Sequence, residues 1–167
     1  MPKTCEIEYT KWQNRAFRFY LASRLLYRNE LYGPAAFCSF QAIENLLKGT
    51  LVYYCNEFKP RKAGHRIEPM ISKVNVMREE KLEIPGYLIS ERYQEVTRYP
   101  KNGLGVGIPA TFLDDLDRIF VTLVELVSFQ FNSEMFNAIK KMKKPQLKIL
   151  SYENESLRQL KSFLKLS

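Results

Sequence analysis

The chain has 167 residues, 46% of them hydrophobic and 13% aromatic, with 26% charged and few glycines or prolines. That is enough chain for one well-filled core, and it excludes a disordered tract or a many-turned β protein. The net charge is +8 with a pI near 9.4, which directs attention to anionic ligands.

The first helix is predicted over Glu6 to Arg28, with Tyr9, Trp12, Ala16, Phe19, Tyr20 and Leu26 as apolar positions. Arg15, Arg18 and Arg24 are expected to face water or a partner. Asn29 to Gly33 is a short turn, which implies an antiparallel neighbour. The second helix is predicted from Pro34 to Cys55. Proline suits a first helical turn, and Ala36, Phe40, Ile43, Leu47, Leu51 and Tyr54 recur at steps of three and four, so one face is expected to be buried. Glu44 and Lys48 stand one turn apart on this helix, spaced for an ion pair.

Asn56 to Gly64, NEFKPRKAG, reads as a basic loop. A third helix is predicted from Arg66 towards Met77, with Pro69 held in its first turn, followed by a break around Pro85. A fourth fits Tyr87 to Thr97, and Arg98 to Pro109 is a glycine-containing connector. Gly103, Gly105 and Gly107 follow no strand and precede no Gly-Lys-Ser/Thr, so they do not read as a phosphate cradle.

The fifth helix is predicted from Ala110 to Lys143, with Phe112, Leu116, Ile119 and Leu123 on its apolar side. Asp114, Asp115 and Asp117 crowd its start, where carboxylates suit the positive end of the dipole. Pro145 stops it. A short amphipathic helix over Asn154 to Leu166 carries Leu157, Leu160 and Leu164. From Phe136 to Ser167 eight basic residues face Glu153 and Glu155 alone, either as a polyanion footprint or as a solvated helix end. No segment has the two-residue period of a strand. The expected architecture is an all-α, up-and-down bundle of four to five main helices over residues 1–145, with a basic helical extension over 146–167 packed on the bundle or on a dimer mate.

Chemistry-bearing residues are sparse. Cys5, Cys38 and Cys55 include no CxxC pair and accompany a single histidine, so no structural metal is expected. The cysteines read as reduced, buried small hydrophobes, which fits a cytoplasmic protein. No signal peptide is read at the N-terminus, and Phe120 to Phe131 falls short of a membrane span. His65, after Gly64 at a helix start, reads as a capping or space-filling histidine or as an acid–base group.

Ala36-x-x-x-Phe40, Gln41-Ala42-Ile43-Glu44 and Leu46-Leu47-Lys48 together resemble the central helix of the HEPN family. Gly64-His65-Arg66-Ile67 resembles the start of that family's next helix, and Arg92-Tyr93 with Arg98-Tyr99-Pro100 resembles its Arg-Tyr-Pro segment. The resemblance covers roughly Leu31 to Pro100. It implies a small helical bundle that dimerises and binds nucleotide or RNA, often beside a nucleotidyltransferase partner as in two-component, toxin–antitoxin-like systems. It also implies a site drawn from Glu44, Lys48, His65, Arg92, Arg98 and Tyr99, where arginines hold phosphate and a tyrosine ring stacks on a base. Ribonuclease members carry an arginine, a gap of four to six residues, and a histidine. Here the positions at that spacing before His65 are Phe58, Lys59 and Pro60, and Arg61 falls one residue short of it. Ribonuclease chemistry is therefore not carried over. The expectation is a non-catalytic binding module without a cofactor; the alternatives are a protein-interaction subunit of a nucleotidyltransferase system and a divergent ribonuclease.

Overall fold

The computed structural model describes residues 3–55, 57–77, 81–89 and 107–127, and among these it is all helix and connection with no strand. Six helices follow in order: α1 (Lys3–Arg28), α2 (Tyr32–Tyr54), α3 (Pro60–Ala63), α4 (Ile67–Val76), α5 (Gly86–Ile89) and α6 (Phe112–Glu125). The all-α bundle matches the expectation. The fourth helix beyond Ile89, the fifth beyond Val127, the helix over residues 154–166 and the division at residue 145 all lie outside the described residues.

The bundle is organised by the α1–α2 hairpin. Helix α1 ends where Leu31 N–H donates to the Leu26 carbonyl at 2.9 Å and Glu30 N–H to the Tyr27 carbonyl at 3.0 Å. This pair of reversed bonds satisfies two carbonyls at the helix end and requires a left-handed residue, here Glu30 with φ 61. The chain then turns back along itself. Ser23 Oγ donates to the Ala35 carbonyl at 2.8 Å near the turn, and the Tyr9 and Tyr53 rings meet edge-on at 5.8 Å at the far end. Near that end the helices cross closely at Gly49, where an added Cβ would stand 3.1 Å from Trp12 Cβ and 3.2 Å from Tyr9 Cδ2.

Helix α2 is buried on every side from Ser39 to Val52, not on one face. The reason is its central place: α1 packs along one side, and α4, α5 and α6 close the others. Ile67, Met70 and Val74 of α4 and Phe112, Leu116, Ile119 and Leu123 of α6 complete a single core. Stacked rings tie α1 to α6, with Tyr20 on Phe120 at 4.0 Å and Tyr27 on Phe112 at 5.0 Å.

Arg24 also departs from expectation. It is fully buried, because Asp117 of α6 accepts its guanidinium and the Tyr20 hydroxyl, the latter at 2.6 Å. A charge in the core is tolerable only when paired in this way. Asp117 accordingly serves the core, not the start of its helix. Helix α6 ends at Glu125, and the Tyr54 hydroxyl caps its end by donating to the Leu126 carbonyl at 2.5 Å. The loop expected over residues 56–64 contains one helical turn, α3, with Pro60 at its start. Cys38 and Cys55 are free and half-buried, not fully buried, and the Cys5 side chain lies outside the described residues.

Candidate functional site

Helix α2 carries Gln41, Glu44 and Lys48 at spacings of three and four, so the three side chains meet on one stripe. The Glu44 carboxylate is their hub. Lys48 Nζ donates to its Oε1 at 2.5 Å and Gln41 Nε2 to its Oε2 at 3.2 Å. His65 comes from the α3–α4 junction and places Nδ1 3.1 Å from both carboxylate oxygens. Gly64 makes this approach feasible, with φ 62 and ψ −139, a conformation that a residue with a Cβ adopts only under strain.

The hub spans the protein boundary. The Glu44 and Lys48 side chains are 3% and 7% exposed, whereas that of His65 is 59% exposed. The Glu44–Lys48 pair is therefore a buried ion pair and not a solvated one. His65 neither caps α4, whose first turn has no side-chain cap, nor fills the end of the bundle. It anchors the α3–α4 junction to the central helix and keeps most of its ring open to solvent.

Lys48 links this hub to an open cleft of about 950 Å³ between α1 and the α3 region. Its ammonium lies 5.7 Å from the centre of the Trp12 ring, and Trp12 lines the cleft. Lys11 and Arg15 of α1 face Lys59, Arg61 and Lys62 across it, and among the described residues Glu8 is the one carboxylate in the lining. Phe58 adds a second ring to the lining. Such a surface can hold phosphate oxygens on its cations and a planar base on its rings.

Of the expected site residues, the structure brings Glu44, Lys48 and His65 together; Arg92, Arg98 and Tyr99 lie outside the described residues. The cleft cations were not among them. Their signal is the basic run FKPRKA in the loop, together with Lys11 and Arg15 one turn apart on α1. Among the described residues no group of three or more His, Cys, Asp or Glu side chains is placed to hold a metal ion, and no helix is long and apolar enough to cross a membrane.

The family model of the HEPN domain matches residues 9–104, more than half of the chain. The chain belongs to the HEPN family. The match takes in α1 from Tyr9 onward as well as α2 to α5, so the Glu44 hub and the cleft residues other than Ile7 and Glu8 lie inside the HEPN segment. HEPN domains have nucleotide- and RNA-related functions at the family level, and they often dimerise and pair with nucleotidyltransferases. Neither the comparison with curated proteins nor that with solved structures gives a match.

Proposed function

We propose that this HEPN protein is a non-catalytic module that binds a nucleotide or RNA and works as a homodimer. The observation that carries this reading is the cleft: among the described residues, five cations and two aromatic rings surround an open groove, with one opposing carboxylate. Phosphate affinity follows from the cations, and base affinity from the rings. The non-catalytic part rests on the single histidine, which lacks an arginine at the ribonuclease spacing and has its Nδ1 engaged by Glu44. Dimerisation rests on the habit of the family and on the exposed apolar group of Leu25, Leu31 and Tyr32 around the α1–α2 turn.

The test is anisotropy of a labelled single-stranded RNA over a salt series, with ATP as competitor, alongside sedimentation. The expected result is a dimer whose affinity falls steeply with salt. Absence of salt-sensitive binding to either ligand below the millimolar range overturns the reading.

The same apolar group favours a second reading, a subunit that docks on a nucleotidyltransferase. In that case Leu31→Asp abolishes co-purification of the partner, and charge reversal at Arg15 and Arg61 leaves it intact.

A further inference from the structure

A second groove of about 620 Å³ adjoins the first on α1. Lys11 and Arg15 line both, and Arg18, Phe19 and Cys38 continue the second. The two are therefore one surface, running along α1 from Ile7 to Ala22. Fifteen helical steps at ~1.5 Å make it about 22 Å long. At ~3.4 Å per phosphate of a stacked strand, that length takes about six nucleotides, far more than one nucleotide occupies.

The rings along this surface share an arrangement. Lys48 Nζ lies over Trp12 at 5.7 Å, Arg15 over Phe19 at 6.0 Å and Lys73 over Phe58 at 5.6 Å. Each aromatic side chain of the two grooves thus has its own cation, brought from α2, α1 or α4, within cation–π range. All three rings are half-buried, so each is fixed in place while part of it stays open. A ring held in this way leaves its exposed part to a base; the exposed Arg15 and Lys73 stay within reach of an adjoining phosphate, whereas Lys48, buried on Glu44, only fixes the Trp12 ring. Alternation of rings and cations along a groove suits an unpaired strand, because a duplex keeps its base faces stacked inside and an acidic peptide has no bases to stack.

We infer that the α1 surface is a track for single-stranded nucleic acid, with Trp12, Phe19 and Phe58 as stacking platforms. This rests on the nucleotide- or RNA-binding reading above and sharpens it to a substrate class. Phosphate and base faces are common to RNA and DNA, so the probes include both.

The experiment measures affinity of the full chain for AMP, for single-stranded RNA and DNA of about two, six and ten nucleotides, and for a duplex of the longest. Affinity is expected to rise with length up to about six nucleotides and to exceed that for the duplex. Trp12→Leu, Phe19→Leu and Phe58→Leu are each expected to weaken single-strand binding about five-fold or more while leaving duplex binding unchanged. Duplex affinity of the same variants controls for a folding defect. RNA tighter than DNA assigns a contact to the 2′-hydroxyl, and equal affinity assigns the track to phosphates and bases alone; both support the inference. AMP or duplex binding as tight as the six-nucleotide strand overturns the track and leaves the binding function standing. Ring variants that lose duplex and single strand equally also overturn it. No binding to any probe removes the binding function itself.

Discussion

Arg24 and Asp117, both sealed from solvent, form an ion pair that joins α1 to α6 across ninety-three residues of sequence. Tyr20 donates to the same carboxylate, and burial, reinforced by the Asp117 charge, holds its hydroxyl well above the ordinary tyrosine range. Removing one partner leaves the other charge in the core. Asp117→Ala is expected to lower stability by about 3–5 kcal/mol, whereas Arg24→Met combined with Asp117→Leu is expected to be close to neutral. Urea denaturation of both proteins decides the matter; a loss below about 1 kcal/mol in the single variant refutes the pairing.

Glu44 accepts from Lys48, Gln41 and His65 together, so its loss strands a buried ammonium. Glu44→Ala is expected to lower stability by about 3 kcal/mol. Lys48→Met keeps the packed stem and leaves Gln41 and His65 on the carboxylate, and is expected to lower it by less. Thermal melts of the two variants, compared with wild type, give the order; the reverse order contradicts the hub.

Glu30 occupies a left-handed position that glycine fills without penalty. Glu30→Gly is therefore expected to raise stability by about 1 kcal/mol, since the left-handed cost of a side chain is relieved. Chemical denaturation reads this directly, and a loss of stability would place the strain elsewhere.

Gly49 lets α1 and α2 approach until Trp12 Cβ and the Tyr9 ring occupy the space that a side chain here would need. Those atoms have little freedom to retreat, Trp12 Cβ being fixed to the main chain. Gly49→Val is expected to lower stability by about 1–3 kcal/mol through overpacking, despite the gain in helix-chain rigidity. A neutral result in urea denaturation would show that the crossing opens easily.

Asp115 sets a pH dependence. Burial opposes its charge, but the Tyr87 hydroxyl at 2.5 Å and Arg118 Nη2 at 3.2 Å outweigh it, and its carboxyl sits below the usual range. A depressed folded pKa contributes stability that is complete above the ordinary aspartate value of ~3.9 and is lost as pH falls through the folded one. Tyr87, raised by burial and then by the Asp115 bond, gives the matching loss above the ordinary tyrosine value of ~10. Tyr87→Phe is expected to flatten the stability curve at both extremes, as read by denaturation from acid to alkaline pH. An unchanged acid limb rules out the contact.

What depends on neighbours in sequence was legible. The turn after Asn29, the helix entered near Pro34 and the helix from Arg66 towards Met77 are written in short spacings, and α2 and α4 follow them closely. Glu44 and Lys48 were legible as a pair from their spacing of four, but not as a buried pair. Their burial depends on how α1, α4, α5 and α6 surround α2, which no window of α2 contains. Arg24 looked like a surface residue for the same reason, its partner being on a distant helix. The cleft was half legible: its cations stand out in the sequence, whereas the pairing of Trp12 with Phe58 across it exists only once α3 has folded against α1.

Trp12 is the chain's sole tryptophan, and it stands in the cleft under the Lys48 ammonium. The protein thus contains its own optical reporter at the place where a ligand would arrive. A base laid on the indole, or a Lys48 freed from Glu44, changes the electrostatic surroundings of one chromophore with no other tryptophan to mask the signal. Intrinsic emission can therefore follow occupancy of the cleft and the state of the buried pair in the unmodified protein, on the timescale of mixing.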